Sequence, residues 1–261
     1  MSFCNCLLTA GGRKKAGLSP KTVLCILSIL KSIFRYAAQI KKYQVADIQG
    51  ISVKQTQKAI RIFSRGEQQK LNRYLCNNPS LRNLGILVCL YTGLRLGEIC
   101  ALTWGDVLRE EQCLSVRRTM QRIQRKDAGG TKTAIRISAP KSDCSVRKIP
   151  LPDEIFHLLI SAEYSADAFF LTGQADRYIE PRTMQNHFKA VIKACGVDDA
   201  NFHALRHTFA TRCIELGFDV KSLSEILGHS SVTITLNRYV HPSMELKQKN
   251  MNMLSELFAV K

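Results

Sequence analysis

The sequence predicts a mainly α-helical protein with a small antiparallel β-sheet. Apolar residues recur at helical spacing over residues 20–37 and again from residue 152 to the end of the chain. Between these regions, residues 112–150 hold three short apolar stretches with a Gly-Gly turn among them, which is typical of short strands. These stretches are residues 114–116, 134–137 and 146–149, and the turn is residues 127–130.

The first predicted helix begins near Pro20, because proline fits the first turn of a helix. Its apolar face comprises Val23, Ile26, Leu27, Leu30, Ile33, Phe34 and Ala37. Ser28, Lys31 and Arg35 fall on the opposite face. Residues 1–17 show no clear helical pattern, and we expect them to be disordered.

A change in composition along the chain predicts two domains. Residues 41–66 are polar and basic with few long apolar patterns, as in a linker. A helical pattern resumes near Ser64 and Glu67. We therefore predict a first domain with its linker over residues 1–60 and a second domain over residues 61–261.

The charge balance predicts a polyanionic partner. The chain has 38 Lys and Arg against 21 Asp and Glu, a net charge of +17, and a protein this basic usually binds nucleic acid. Residues 1–65 carry twelve Lys and Arg and one acid, Asp47. Lys21, Lys31 and Arg35 are therefore candidate DNA-backbone ligands, although a solvated polar face is the simpler interpretation of each alone. Charge does not distinguish DNA from RNA or from an anionic membrane.

The apolar runs predict neither a membrane span nor a secretion signal. A span needs about 18–20 apolar residues, and the longest runs, residues 23–30 and 86–91, are much shorter. The N-terminus does not show a basic region followed by an apolar core, so no signal peptide is expected. We expect a cytoplasmic protein with no membrane partner.

The ten cysteines show no clear pattern of metal binding or disulfides, because none forms a Cys-x-x-Cys pair. Four lie in apolar helical patterns and are expected to be small core residues in a reducing compartment: Cys25, Cys89, Cys100 and Cys213. Cys4 and Cys6 form a lone Cys-x-Cys, which is a weak metal signal. We expect no metal and no cofactor.

Two motifs combine arginine with an acid or with histidine at helical spacing. The motif TGLRLGE places Arg95 and Glu98 three residues apart, so that they share a helix face. An ordinary surface ion pair explains this spacing equally well. The motif FHALRHTFAT places His203, Arg206 and His207 on one turn. One histidine there would more often be a structural hydrogen-bonding group, but the three residues together favour an anion site.

A third motif, DVKSLSEILGH, predicts a short helix with defined ends. Asp219 is a suitable N-cap and Gly228 a suitable stop, so His229 is expected at the helix end. The following residues 232–235 are rich in β-branched side chains, which favour a strand by propensity alone. Tyr239 comes shortly before a proline and is, by itself, an ordinary amphipathic rim residue.

These motifs, in this order and ending in Tyr239, resemble the tyrosine recombinase (phage integrase) family. A further segment, PKSDCSVRKIPL at residues 140–151, resembles the lysine-bearing β-hairpin of that family. Each motif alone is unspecific, but five in order with suitable gaps are very specific. The resemblance extends from about residue 18 to about residue 257. The sequences of the motifs are similar to those of integrases of bacterial mobile elements.

The resemblance implies a role for each matched residue. Arg95 and Arg206 correspond to the two phosphate-binding arginines, with His203 as the histidine between them in the active site. His229 corresponds to a third phosphate ligand, and Tyr239 to the nucleophile.

The resemblance also implies supporting residues. Lys141 corresponds to the hairpin lysine that reaches the leaving oxygen, and Lys132 on a nearby strand is a competing candidate. Glu98 and His207 correspond to residues that orient the reacting groups.

The implied reaction needs neither metal nor cofactor. Arginine stays protonated at any working pH, so two arginines can neutralise a DNA phosphodiester and its transition state. Tyr239 would attack phosphorus with His203 as the expected proton acceptor, and Lys141 would protonate the departing 5′-oxygen. The product would be a 3′-phosphotyrosyl bond that another 5′-hydroxyl can reverse.

The resemblance implies a domain role and a set of partners. Residues 1–60 correspond to a core-DNA-binding domain that is partial and shortened at its N-terminus, so we expect reduced DNA affinity. Residues 61–261 correspond to the catalytic domain. The expected partners are double-stranded DNA recombination sites, a DNA-dependent homotetramer and accessory DNA-bending or excision factors, on the bacterial nucleoid.

Some alternatives stay open at this point. A type IB topoisomerase shares the tyrosine chemistry but reseals the same strand, and a truncated integrase would act only as a DNA-binding protein. A metal-dependent nuclease is disfavoured, because no acidic cluster has suitable spacing. The apolar residues of the C-terminal tail would pack either on their own core or on a neighbouring protomer: Met244, Leu246, Met251, Met253, Leu254, Leu257 and Phe258.

Overall fold

The computed structural model describes residues 2–13, 15–54, 60–124, 133–140, 143–240 and 244–253. The chain forms two compact units, Met1–Ala59 and Ile60–Lys261. Helices dominate, and the strands form two small antiparallel sheets. The predicted class, mainly α-helical with antiparallel β-structure, is confirmed, although the strands form two sheets where one was expected.

The first unit contains two helices, α1 (Ser2–Ala10) and α2 (Pro20–Gln39). The Ser19 side chain caps α2 by accepting a hydrogen bond from the Thr22 amide, and Pro20 occupies the first turn as predicted. The expectation that residues 1–17 are disordered is wrong over α1. Its apolar residues pack on α2, where Val23 is fully buried and Leu27 nearly so.

Helix α2 is long and apolar enough to cross a membrane by length and composition, with a mean hydropathy of 1.2. The expectation that no segment qualifies is wrong, because the few charges of α2 are widely spaced. Lys31 lies near its middle, where a charged side chain in hydrocarbon costs about 2.5–3.5 kcal/mol. In the structure its ammonium instead donates to the backbone oxygens of Gln49 and Ile51, at 2.6 and 2.7 Å.

The second unit consists of a first group of helices, a central β-region and a second group of helices. The first helices are α3 (Arg65–Asn77), α4 (Leu81–Thr92) and α5 (Leu96–Ala101). The strands are β1 (Val107–Leu108), β2 (Cys113–Val116), β3 (Thr119–Gln124), β4 (Thr133–Ser138) and β5 (Arg147–Pro150). The last helices are α6 (Asp153–Ile160), α7 (Pro181–Ala194), α8 (His203–Glu215), α9 (Val220–Leu227), α10 (Val232–Tyr239) and α11 (Met244–Met253).

The helix ends follow local rules that place the functional segments. Ser64 and Glu67 form a reciprocal capping box at the start of α3. Helix α4 ends at Gly93, whose φ of 66° is left-handed and favours glycine. A side-chain carbon at Gly93 would also lie 2.6 Å from the Phe209 ring. This tight turn directs the chain from α4 into Arg95.

The β-region consists of a three-stranded sheet and a separate hairpin. The sheet has the order β1-β2-β5, and Leu114 pairs with Ile149 in its antiparallel register. Strands β3 and β4 form the hairpin. The three predicted strands correspond to β2, β4 and β5, whereas β1 and β3 are additional. The predicted turn at residues 127–130 lies outside the described residues.

Residues 232–235 are helical, although β-branched propensity alone favoured a strand. The Ser231 side chain accepts from the Thr233 amide and caps α10. Thr235 is fully buried and its hydroxyl contacts His229, so tertiary contacts outweigh local propensity.

The core of the second unit contains one large and one small cluster. The large cluster surrounds α4, and its fully buried members include Ile86 and Phe188. The small cluster joins α8, α9 and α10 through Ala210, Cys213, Leu223, Leu227 and Tyr239. The small cluster therefore includes the tyrosine that the motif pattern identified.

The structure changes two expectations about buried residues, one for the cysteines and one for the C-terminal helix. Cys89, Cys100 and Cys213 are buried as expected, but Cys25 is exposed on α2. In α11, Met244 and Met251 are exposed, so these two side chains do not pack on their own core.

Candidate active site

The residues of the arginine and histidine motifs lie on segments that meet in the second unit. Arg95 is the N-cap residue of α5, and its Nη2 donates to the Gly228 backbone oxygen at 2.9 Å, across 133 residues of sequence. Arg206 on α8 donates to the Gly93 and Leu227 oxygens at 2.8 and 2.9 Å. The two arginines therefore join the α4–α5 turn, α8 and the end of α9.

Arg206 is held in a fixed position by burial and by its two backbone carbonyl partners. Its exposed fraction is 2%. Burial and then the neighbouring Arg95 charge lower its pKa to about 9. The guanidinium therefore stays mostly protonated at neutral pH, as an anion-binding group must.

Arg95 is oriented by Glu98 but remains more open to solvent. Its Nη1 donates to Glu98 Oε1 at 2.7 Å, its backbone amide donates to Oε2 at 2.8 Å, and its side chain is 35% exposed. Burial would raise the pKa of Glu98, but hydrogen bonds and charge from Arg147 and Arg95 outweigh burial and lower it. Glu98 is thus ionised, and it binds Arg95 as the spacing had predicted.

Arg147 is a residue of this cluster that the sequence analysis did not identify. Its side chain is 6% exposed and donates to both oxygens of Glu98, at 3.1 and 2.9 Å. It also donates to the Ile226 oxygen at 2.6 Å. One feature of the sequence could have identified it. Arg147 lies two residues before buried Ile149 in β5, and residues two apart in a strand lie on the same face.

The lysine that the resemblance implies is not among the described residues. Lys141 and its competitor Lys132 both lie outside them. The strand that follows, β5, contacts the site through Arg147.

Tyr239 lies at the end of α10 with its hydroxyl directed at a histidine of α8. The Tyr239 hydroxyl is 2.8 Å from His207 Nδ1, and the tyrosine is 7% exposed. Burial raises the pKa of Tyr239, and the positive charges of Arg206 and Arg238 act against burial. The proton acceptor was expected at His203, but the structure places His207 against the hydroxyl.

His203 lies next to His207, with the two rings edge to face at a centroid distance of 4.6 Å. His229 follows α9, and its Nδ1 is 2.8 Å from the Thr235 hydroxyl. Partial burial, followed by neighbouring charges, lowers the pKa of His203 and His207 to about 4 and that of His229 to about 3. All three imidazoles are therefore neutral at pH 7.

The site is electropositive because its charges come mainly from arginine. Arg95, Arg206 and Arg238 each act on the pKa values of the neighbouring histidines, and Arg147 acts on that of His229. Arg238, one residue before the tyrosine, was also not identified from the sequence. A single cation on an exposed helix face does not by itself indicate a functional site. A cluster of this sign, with ionised Glu98 as a counter-charge, favours an anionic ligand.

The candidate DNA ligands of α2 lie in the first unit. Lys21 and Arg35 are exposed, whereas Lys31 is partly buried and bound to backbone oxygens. Among the residues that the structure describes, no group of three His, Cys, Asp or Glu side chains could hold a metal ion.

Comparison with protein families matches residues 61–245 to the phage integrase family. The chain is 29% identical to a XerC-like tyrosine recombinase of Caldanaerobacter subterraneus subsp. tengcongensis, over 93% of this chain and 68% of the relative. It is 28% identical to the tyrosine recombinase XerC of Myxococcus xanthus, over 65% of this chain and 53% of the relative. The transposase from transposon Tn916 of Enterococcus faecalis is 25% identical, over 66% of this chain and 45% of the relative. The chain thus spans about half the length of the last two relatives.

Solved structures show the same fold. The Tn1549 transposon integrase in complex with a circular intermediate DNA aligns with a TM-score of 0.70 at 24% identity, over 91% of this chain and 81% of that one. The XerA recombinase aligns with a TM-score of 0.53 at 20% identity, over 94% and 85%. Since the family model matches most of the chain, the chain belongs to the phage integrase family, the tyrosine recombinases, which are enzymes that cleave and rejoin DNA.

Proposed function

We propose that this chain is a site-specific DNA recombinase that integrates or excises a bacterial mobile element. It cuts each strand through a 3′-phosphotyrosyl bond to Tyr239. The observation that carries the proposal is the convergence of Arg95, Arg206, His229 and Tyr239 around one electropositive site. Membership of the family supports the reaction. The resemblance of the motif sequences to those of mobile-element integrases supports the mobile-element role.

The substrate of the proposed reaction is double-stranded DNA at a recombination site. A net charge of +17 supports this, as does the DNA bound to the structurally similar Tn1549 integrase. Exposed Lys21 and Arg35 of the first unit would contact phosphates, and Lys31 would join them by releasing its carbonyl partners. The enzyme would act in the bacterial cytoplasm, on the nucleoid.

The proposed assembly is a homotetramer that forms on DNA. Recombination breaks two strands in each of two duplexes, and each break uses one tyrosine. Accessory DNA-bending or excision proteins would select the direction of the reaction.

Arg95 and Arg206 would bind the non-bridging oxygens of the scissile phosphate. Their charge does not depend on a proton acquired during the reaction, so it is present when negative charge develops in the transition state. His203 would contact the same phosphate, and Glu98 would hold Arg95 in position.

His229 would be the third phosphate ligand, and Thr235 sets its tautomer. If the Thr235 hydroxyl donates to Nδ1, the ring proton resides on Nε2. A neutral histidine can then donate Nε2–H to a phosphate oxygen.

Cleavage would form a bond between the Tyr239 oxygen and phosphorus while the bond from phosphorus to the 5′-oxygen breaks. Lys141 is proposed to protonate that departing oxygen. Because the phosphotyrosyl ester retains the energy of the broken linkage, a 5′-hydroxyl from a second duplex can attack it and complete the exchange.

A pool of nicked duplexes with a randomised core tests this function and selects the recombination site at the same time. The nick lets a short product strand leave, which traps the adduct. We expect SDS-resistant protein–DNA adduct with the natural chain and none with Tyr239→Phe. An adduct with Tyr239→Phe, or none with the natural chain, would contradict the proposal.

The captured DNA also separates recombination from topoisomerase action. Sequencing it defines a substrate, and a second labelled duplex of that sequence is then added. Joints between the two duplexes are expected, whereas resealing of the original strand alone would favour a topoisomerase.

A further inference from the structure

We propose that His207 is the catalytic base of strand cleavage, which accepts the proton of the Tyr239 hydroxyl. This inference rests on the proposed function and extends it. The observation that carries it is the 2.8 Å hydrogen bond between His207 Nδ1 and the Tyr239 hydroxyl.

Packing fixes the two partners of this hydrogen bond. Tyr239 belongs to the small core cluster that joins α8, α9 and α10. His207 projects from the first half of α8, and its ring centroid is 5.7 Å from that of Tyr239. Since both residues lie on helices that pack together, the contact belongs to the framework of the unit.

The charges around the hydroxyl determine where its proton points. Burial raises the pKa of Tyr239, and the positive charges of Arg206 and Arg238 act against burial. Two cations near the hydroxyl favour the orientation in which the oxygen lone pairs face them and the proton faces His207 Nδ1. That nitrogen accepts the proton in the tautomer that carries hydrogen on Nε2.

His203 is the other histidine that could serve as base. Its ring contacts the His207 ring edge to face, and the described hydrogen bonds of the Tyr239 hydroxyl do not include it. The geometry therefore assigns the proton to His207 and leaves His203 the phosphate contact proposed above.

The charges around His207 link its basicity to the substrate. It is faced by His203 and Arg206 of α8 and by Arg238 and Tyr239 of α10. Partial burial, with the charges of His203, Arg238 and Arg206, lowers its pKa to about 4. A bound phosphodiester offsets the arginine charge and raises that pKa. The base thus becomes stronger when the phosphate arrives.

The proton and electron balance of the step is complete. The O–H bond of Tyr239 breaks and its proton moves to Nδ1, which makes His207 an imidazolium. The Tyr239 oxygen bonds to phosphorus, and the bond to the 5′-oxygen breaks with a proton from Lys141. In the joining step, His207 returns its proton to the departing tyrosine.

Matched variants separate a base from a hydrogen-bonding group. His207→Asn keeps an acceptor near the Nδ1 position but has no basic nitrogen, and His207→Ala removes both. His157→Ala, at an exposed position on α6, is the control. Single-turnover cleavage of the captured nicked duplex gives the rate of each.

We expect both His207 variants to cleave about 100- to 1000-fold more slowly, in the range of a lost general base. Added imidazole should partly restore His207→Ala. His157→Ala should match the natural chain. If His207→Asn cleaved like the natural chain, His207 would only position the tyrosine and the inference would be overturned.

A sulfur substitution distinguishes base from acid. DNA with sulfur in place of the 5′-bridging oxygen has a leaving group that needs no proton, so the His207→Asn defect should persist on it. Loss of the defect would assign His207 to the acid step and overturn the inference.

Two further measurements distinguish a failure of this inference from a failure of the proposed function. Melting curves establish whether each variant is folded, and His207→Asn, close in size to histidine, carries the test if His207→Ala is not. No adduct with the natural chain would sink the proposed function. A normal adduct with an unimpaired His207→Asn would sink this inference alone.

Discussion

The active-site arginines and the basic residues of α2 use the same charge in opposite ways. Arg206 is 2% exposed and Arg147 6%, and both are fixed by backbone oxygens or by Glu98. Lys21 and Arg35 on α2 are exposed. A buried, partnered cation can hold one phosphate in one geometry, whereas an exposed one attracts any phosphate nearby. The following predictions test this contrast.

The largest effect on cleavage is expected from Arg206→Ala. It removes a preorganised donor and leaves the Gly93 and Leu227 oxygens without their partner. Cleavage should fall about 100- to 1000-fold, or about 3–4 kcal/mol of transition-state stabilisation. The rate of adduct formation on captured DNA measures it. Arg177→Ala, an exposed arginine elsewhere in the unit, should cleave normally, and an equal loss there would show that general charge suffices.

The next prediction concerns folding stability rather than cleavage, and it compares two ion pairs whose basic residues are adjacent in β5. Glu98→Ala leaves Arg147 buried without its carboxylate, which should cost about 3–5 kcal/mol of unfolding free energy. Glu111→Ala breaks the exposed pair with Lys148 and should cost about 0–1 kcal/mol. Urea unfolding of both variants makes the comparison. Equal losses would mean that burial does not set the strength of the Glu98 contact.

Folding stability should also depend on pH. The pKa values of His203 and His207 are lowered from 6.5 to about 4, and that of His229 to about 3. Below pH 6.5 the unfolded chain binds protons that the folded chain does not, so stability should decline from pH 6.5 towards 4 and be constant above 7. Replacing all three by glutamine should flatten this decline in melting curves. An unchanged decline would place its origin in other groups.

The smallest effects should come from α2. Arg35→Ala should lower the affinity for captured DNA a few-fold and reduce the salt slope by about one phosphate contact. Lys31→Ala should reduce the slope less, because its ammonium is already bound to Gln49 and Ile51. Filter binding at several salt concentrations tests both. A larger slope change for Lys31→Ala would reverse the ranking.

The same contrast explains what the sequence could predict. Arg95, Glu98, Arg206 and Tyr239 belong to motifs in which spacing marks them, and the fold class follows from apolar periodicity. Arg147 was missed because its role depends on Glu98, a contact made across 49 residues of sequence. The position of His207 against Tyr239 likewise depends on how α8 packs on α10, which spacing does not determine.

Local propensity failed where tertiary contacts outweighed it. Residues 232–235 favour a strand by composition, but the Ser231 cap and the burial of Thr235 make them helical. The segment of α1 lacked a strong periodic pattern, yet its Cys4, Leu7 and Leu8 pack with Val23 and Leu27 of α2.

The central claim is that the hydroxyl at position 239 becomes joined to DNA. Protease and nuclease digestion of the trapped adduct, followed by tandem mass spectrometry, identifies the modified residue and the end of the attached nucleotide. The account predicts a peptide with Tyr239 esterified to a 3′-phosphate. A nucleotide on any other residue, or one linked through its 5′-phosphate, would contradict it.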